Sequence, residues 1–178
     1  DRVAHAFLFT GVRGVGKTTV ARLLARALNC KNRKGGEPCN ECDSCTAILT
    51  GSSVDVIEID GASNRGIDEV RSLIDSSAYR PAMGPYRIYI IDEVHMLSNS
   101  AFNALLKTIE EPPPYIVFIF ATTEIHRVPA TIRSRCQQFN FRLISTDDLK
   151  RSLASACADM KVEAEDAALL WIAKEATG

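Results

Sequence analysis

No segment constrains this chain more than Gly11-Val12-Arg13-Gly14-Val15-Gly16-Lys17-Thr18. It fills the pattern G-x-x-x-x-G-K-[ST] in full, and its flanks agree with it. Ahead of it, Ala6–Thr10 is a short apolar run suited to a buried strand. Behind it, Lys17–Leu28 carries Val20, Leu23, Leu24, Ala27 and Leu28 at helical spacing. Glycines between a strand and a helix let the backbone curl so that several N–H groups point inward at a phosphate. The helix N-terminus adds a partial positive charge at the same point. Gly11, Val12, Arg13, Gly14, Val15, Gly16, Lys17, Thr18 and Thr19 are therefore the expected nucleotide-binding set. Lys17 is expected to reach the β- and γ-phosphates, and the Thr18 hydroxyl to bind Mg²⁺. A glycine-rich turn with an incidental lysine is the bland alternative, and the intact flanks weigh against it.

A second motif supplies what hydrolysis needs. Ile88-Tyr89-Ile90-Ile91-Asp92-Glu93 is a hydrophobic strand ending in two carboxylates, at the sheet edge where ligands of open α/β sheets gather. Asp92 is expected to hold Mg²⁺, directly or through water, and Glu93 to polarise the attacking water. Seen alone, Asp-Glu after a strand is as often a solvated helix cap; beside a complete phosphate loop it reads as catalytic. Ala121-Thr122-Thr123 ends a further apolar strand. Thr123 is the candidate to bond the water or the γ-phosphate, with helix capping as the alternative. In Ser134-Arg135-Cys136, Arg135 could stabilise transition-state charge, although spacing alone favours a surface arginine.

Five segments suit buried strands: Ala6–Thr10, Val54–Asp60, Arg87–Asp92, Tyr115–Ala121 and Gln137–Phe141. Helical stretches at Asp68–Ser77 and Ser100–Glu110 alternate with them, the second stopped by Pro112, Pro113 and Pro114. This alternation predicts an α/β fold with a five-stranded parallel sheet covered on both faces. Beyond Phe141, Asp147–Met160 and Glu163–Ala176 both read as helices, the start of a second, helical domain. The expected division is 1–143 for the nucleotide-binding domain, with 30–45 inserted, and 144–178 for the helical one. The chain opens at Asp1 without methionine and closes directly after a helical pattern, so a fragment is expected. No apolar run approaches the ~18–20 residues that cross a bilayer, and no signal-peptide pattern is present; a cytoplasmic protein without membrane contact is expected. The net charge of −1 gives no bulk attraction for nucleic acid.

Four of the six cysteines, Cys30, Cys39, Cys42 and Cys45, fall in one polar insertion spaced C-x₈-C-x₂-C-x₂-C. Four thiolates make a closed tetrahedral zinc site, and a loop without a core needs such a staple. An iron–sulfur cluster also uses C-x₂-C-x₂-C, and free thiols are the third reading; ligand type and spacing favour structural zinc. Cys136 and Cys157 read as buried small side chains. Neither His5, His95 nor His126 has metal or triad spacing, and His95, after the Asp-Glu pair, reads first as a satisfied structural histidine.

In order, the phosphate loop, the four-cysteine insertion, Asp92-Glu93-Val94-His95-Met96-Leu97, Phe102-Asn103-Ala104-Leu105-Leu106-Lys107-Thr108-Ile109-Glu110-Glu111-Pro112-Pro113 and Ser134-Arg135-Cys136 resemble the bacterial DNA polymerase III clamp-loader ATPase subunits (gamma/tau), of the AAA+ class. The resemblance runs from about Val3 to the last residue. It implies an AAA+ P-loop ATPase fold, with the four-cysteine zinc insertion and the start of a small helical lid domain. It further implies a cytoplasmic ATPase acting within the DNA polymerase III holoenzyme. Such a subunit joins others in a hetero-oligomeric, ring-like complex that uses ATP to open the sliding clamp and load it onto primer–template DNA. By the same likeness, Arg135 acts in trans on a neighbour's ATP, Thr123 is the γ-phosphate sensor, and Cys30, Cys39, Cys42 and Cys45 hold structural Zn²⁺. Ser63-Asn64-Arg65 resembles the region facing DNA, where Arg65 is either a phosphate contact or a solvated loop residue. The upstream residues that help hold adenine and the lid arginine expected after Gly178 are missing, so weak ATP binding and slow hydrolysis are expected of this chain alone.

Three rival readings compete with this one. A non-hydrolysing scaffold subunit would share the cysteines but carry a degraded phosphate loop, whereas Lys17, Thr18, Asp92 and Glu93 are intact. A helicase or branch-migration motor would lack the cysteine insertion and Glu-Glu-Pro-Pro. A small-molecule kinase would need an acceptor-binding motif, and none is visible.

Overall fold

Apolar side chains alternate along three central strands, and this alternation builds the molecule in layers. The computed structural model describes residues 3–176; the outermost residues of the two expected domains, 1–2 and 177–178, lie outside it. Five parallel strands, β1 (Ala6–Thr10), β2 (Val56–Asp60), β3 (Arg87–Asp92), β4 (Ile116–Thr122) and β5 (Gln137–Asn140), run in the order β2-β3-β4-β1-β5. Phe7, Phe9, Ile88, Ile90, Val117 and Ile119 face one side, against Ala21, Ala25 and Leu28 of α1 (Lys17–Asn29). Leu8, Tyr89, Ile91, Phe118 and Phe120 face the other, against α3 (Ile67–Ser76) and α4 (Asn99–Glu110). Burying a large apolar side chain contributes about 1.5–3 kcal/mol, so these two layers hold the sheet. Tyr89, Phe118 and Phe120 stack in series with ring centroids 5.4 and 5.7 Å apart, and the Tyr89 hydroxyl pairs with Ser76 Oγ at 2.9 Å.

Polar pins set where β3 begins. Buried Asp55 accepts the backbone N–H groups of Ala82, Met83 and Gly84 at 2.6, 2.6 and 3.0 Å. Asn29 donates to the Tyr86 carbonyl at 2.8 Å and accepts the Tyr86 N–H at 3.0 Å. The turn into the Asp92-Glu93 strand is thus tied to the end of α1. α4 starts at Ser98, whose hydroxyl accepts the Ala101 N–H at 3.2 Å, and ends before Pro112.

Three expectations need correction. Val54–Asp60 is a strand only over Val56–Asp60, and as one edge of the sheet it is half-buried or exposed along its length rather than buried. Gln137–Phe141 does not form a buried strand: Gln137, Gln138, Phe139 and Asn140 are all exposed. β5 is an edge strand, paired among the described residues with β1 alone, so polar side chains cost it nothing, and Phe139 reaches inward to Phe9 and Phe7, at 5.8 and 6.3 Å between ring centroids. The insertion also has more structure than its polarity suggested. A helix, α2 (Asp43–Leu49), begins inside it and buries Ser44, Cys45 and Ile48, packing against α1. A short helix, α5 (Ala130–Arg133), precedes β5. After β5, α6 (Thr146–Asp159) and α7 (Asp166–Glu175) pack on each other. Ser145 caps α6 by accepting the Asp148 N–H, while Trp171 stays two-thirds exposed at 66%. Among the described residues, no helix is long and apolar enough to cross a membrane.

Candidate nucleotide site and cysteine centre

Strand order decides which loops meet. With β4 lying between β3 and β1, the segments that follow these three strands emerge side by side: Glu93, Thr123 and the phosphate loop. The loop and Glu93 border a cleft of about 540 Å³, lined also by Asp60, Ala62 and Asp92.

Glycine is needed at both ends of the loop. A Cβ on Gly11 would lie 2.4 Å from the Phe141 carbonyl oxygen, and its φ is +146°. Gly16, at φ 89° and ψ 16°, is the left-handed cap from which α1 starts. Lys17 is buried, and its Nζ donates to the Gly11 and Val12 carbonyls at 2.9 and 2.8 Å. Thr18 Oγ1 donates to Asp92 Oδ2 at 2.5 Å. A hydroxyl and a carboxylate that close suit a hard cation such as Mg²⁺, which takes oxygen ligands and keeps several waters. Of the other expected loop residues, Arg13, Gly14 and Thr19 line the cleft, Val15 is buried, and Val12 is half-exposed.

Glu93 sits in the left-handed region at φ 44° and ψ 45°. That conformation costs a non-glycine residue about 1–3 kcal/mol and persists only where surroundings impose it. Here the Glu93 N–H donates to Asp92 Oδ1 at 2.8 Å, and the Gly61 N–H donates to the Asp92 carbonyl at 2.8 Å. A Cβ on Gly61 would come within 2.7 Å of the Glu93 carbonyl oxygen, so this approach requires glycine. Thr123 Oγ1 donates to Glu93 Oε2 at 3.1 Å. The structure therefore brings Lys17, Thr18, Asp92 and Glu93 to one cleft, with Thr123 hydrogen-bonded to Glu93 beside it.

Arg135 lies apart from that cleft. Its guanidinium pairs with Glu110 at 2.7 Å and donates to the Thr131 carbonyl at 2.7 Å. Arg65 is occupied locally, with Nε donating to the Ala62 carbonyl at 2.8 Å. Asp60 was missed in the sequence. It lines the cleft, and the Ala62 N–H and Ser63 hydroxyl, at 2.9 and 2.8 Å, hold its carboxyl below the ordinary carboxylate range. A turn signal in Asp60-Gly61-Ala62-Ser63 could have found it. Glu124 was missed as well, and His95 meets it, Glu93 and Thr122 together.

The second centre is built from sulfur. One Sγ from each of Cys30, Cys39, Cys42 and Cys45 lies within 4.8 Å of the others. A tetrahedron of metal–sulfur bonds of about 2.3 Å has edges just under 4 Å, so the four thiols fit a zinc-sized ion. Cys39 and Cys42 donate their N–H groups to the sulfurs of Cys30 and Cys39, each at 3.3 Å. Backbone N–H groups, that of Cys45 first, draw the Cys42 thiol down to about 6, and the Cys39 N–H lowers Cys30. Burial pushes Cys45 up to about 12. Outside the centre, burial alone pushes Cys136 up to about 12, as suits an inert core thiol.

Residues 1–145 match the protein family described as DNA polymerase III, delta subunit. The chain is 49% identical over 177 residues to DNA polymerase III subunit tau of Bacillus subtilis, covering 99% of this chain and 31% of that protein. It is 46% identical over 177 residues to DNA polymerase III subunit tau of Escherichia coli, covering 99% of this chain and 28% of that one. It thus spans about a third or less of these curated relatives. Among solved structures, a DNA polymerase III gamma subunit-related protein from Thermotoga maritima superposes with a TM-score of 0.65 at 24% identity, over 89% of this chain and 48% of that one. The RuvB Holliday junction branch migration motor of Thermotoga maritima does so with a TM-score of 0.65 at 22% identity, over 98% and 49%. At such identities the likeness concerns the fold.

Proposed function

From the premise that this chain belongs to the family described as DNA polymerase III, delta subunit, with tau and gamma subunits among its relatives, we propose that it is the ATP-binding and hydrolysing part of a bacterial clamp loader. The observation that carries this reading is the meeting of Lys17, Thr18, Asp92 and Glu93 in one cleft, with Thr123 bonded to Glu93.

In the proposed scheme, loop N–H groups from Gly11 to Thr18 cradle the triphosphate, and Lys17 leaves its two carbonyl partners for the β- and γ-phosphate oxygens. Thr18 and Asp92 hold Mg²⁺, which neutralises phosphate charge when bound. Glu93 orients and polarises the attacking water, and Thr123, already bonded to Glu93, reads the γ-phosphate. Arg135, at the molecule's own surface, serves ATP held by a neighbouring subunit. Cys30, Cys39, Cys42 and Cys45 hold a structural Zn²⁺. Residues 1–143 form the nucleotide domain and 144–178 the start of the lid. The whole protein joins other clamp-loader subunits in a ring-like complex in the cytoplasm, opens the sliding clamp and loads it onto primer–template DNA.

The test is ATP hydrolysis by the full-length protein assembled with its partner subunits, clamp and primed DNA. Glu93→Gln is expected to lower turnover about 10²–10⁴-fold while ATP binding persists. Undiminished turnover would remove the hydrolytic reading.

A further inference from the structure

Each ring nitrogen of His95 faces a carboxylate, an arrangement the nucleotide scheme above does not use. The residue is buried, 7% exposed. Its Nδ1 lies 2.9 Å from Thr122 Oγ1 and 3.3 Å from Glu93 Oε2, and its Nε2 lies 3.2 Å from Glu124 Oε1. A neutral imidazole can donate towards Glu93 from Nδ1 or towards Glu124 from Nε2 but not both, whereas the imidazolium donates to both sides at once and is the form that links the two carboxylates. The Thr122 hydroxyl already accepts the Glu124 N–H at 3.0 Å, which locks the chain beyond β4 against the ring.

We propose that His95, anchored by Glu124, is the positioning residue for Glu93. The left-handed backbone at Glu93 turns the chain into a 3-10 turn, Val94–Met96, and this turn brings the imidazole up to the Glu93 carboxylate. That carboxylate is about one-third exposed, and among the described residues its side-chain partners are the Thr123 hydroxyl and the His95 ring, both at Oε2. With the hydroxyl alone, the side chain is free to swing towards solvent. With the ring beside it, Oε2 is held from two sides and the carboxylate keeps one orientation at the cleft. Glu124 holds the ring from the far side and is itself steadied by Arg127 at 3.2 Å and His126 at 3.6 Å. The inference rests on the hydrolytic reading of the cleft.

Steady-state hydrolysis by the full-length protein with its partner subunits tests it. His95→Ala is expected to lower kcat about 10- to 100-fold, the scale of a small misplacement of a catalytic group, with KM for ATP and nucleotide Kd within about twofold. His95→Asn, whose amide can occupy the Nδ1 position, is expected to recover part of that loss. Glu124→Gln is expected to lower kcat about three- to tenfold, and to add nothing in the His95→Ala background, because the two act through one contact. A histidine that only fills the core would show additive losses and no recovery with Asn, and that result overturns the proposal. So does a His95→Ala kcat equal to wild type. Should His95→Ala fail to fold, Glu124→Gln at the rim decides alone: an unchanged kcat overturns the proposal, and a reduced kcat at constant KM supports it. An assembled wild type that hydrolyses no ATP overturns the hydrolytic reading and this inference together. Normal wild-type turnover with indifferent variants overturns only the role of His95.

Discussion

The phosphate loop and the cysteine centre are both loops attached to α1, yet they are ordered by opposite means. The loop is held by the sheet: Gly11 lies against the Phe141 backbone, Lys17 is bonded to the Gly11 and Val12 carbonyls, and Asp92 is delivered by a strand buried on both faces. The cysteine segment has almost no core beneath it except Cys45 and Ile48, and its strongest organising element is four sulfurs gathered in one place. A site carried by a sheet keeps its shape without its ligand, whereas a site carried by thiols draws its folding energy from the ion it binds.

The comparison breaks first at Lys17. Lys17→Ala is expected to weaken nucleotide binding about 10²–10³-fold while the thermal midpoint moves by less than about 3 °C, readable by calorimetry. A large loss of stability would show that the loop, too, depends on one polar contact. Next in size is the effect on the other side. Chelation, or Cys45→Ser, is expected to cut amide protection across 30–52 about 10²-fold and leave the cleft's nucleotide affinity within about twofold. A parallel fall in affinity would mean that α2 transmits disorder into α1, against which it packs.

Gly11→Ala sharpens the comparison from the sheet side. Its Cβ meets the Phe141 carbonyl, and its φ is left-handed, so a loss of about 1–3 kcal/mol is expected in urea unfolding. Asp60→Asn should have the smallest effect. The Asp60 carboxyl is held below the ordinary range by the Ala62 N–H and Ser63 hydroxyl. Its contribution is therefore present above the ordinary carboxylate pKa of about 4 and is lost as pH falls through the depressed value. The difference in thermal midpoint between wild type and Asp60→Asn should be visible at neutral pH and close on acidification.

These two regions were also the most legible in the sequence, because each is written in residues whose chemistry leaves few options. Glycines beside a lysine and a threonine imply a phosphate cradle, and four closely spaced cysteines imply a metal. Legibility failed where the deciding fact is long-range. His95 and Thr122 stand 27 positions apart, and no local pattern joins them to Glu93 and Glu124. Asp55 looked like a strand residue, yet its carboxylate organises a turn at 82–84. α2 was lost because Asp43-Ser44-Cys45-Thr46 reads as polar loop, and its helix depends on packing against α1. Strand propensity carries no information about which strand lies at the edge, so both edge strands, β2 and β5, read as buried although neither is.

One consequence of the strand order reaches beyond a single chain. The stretch from Thr123 to Arg135 is short: it has one end hydrogen-bonded to the chain's own Glu93 and the other paired with Glu110. If Arg135 serves the adjoining subunit, this stretch is a lever with its fulcrum at the tip of β4. A shift of the Glu93–Thr123 contact would then be carried along this stretch to Arg135 and the Glu110 pair that holds it.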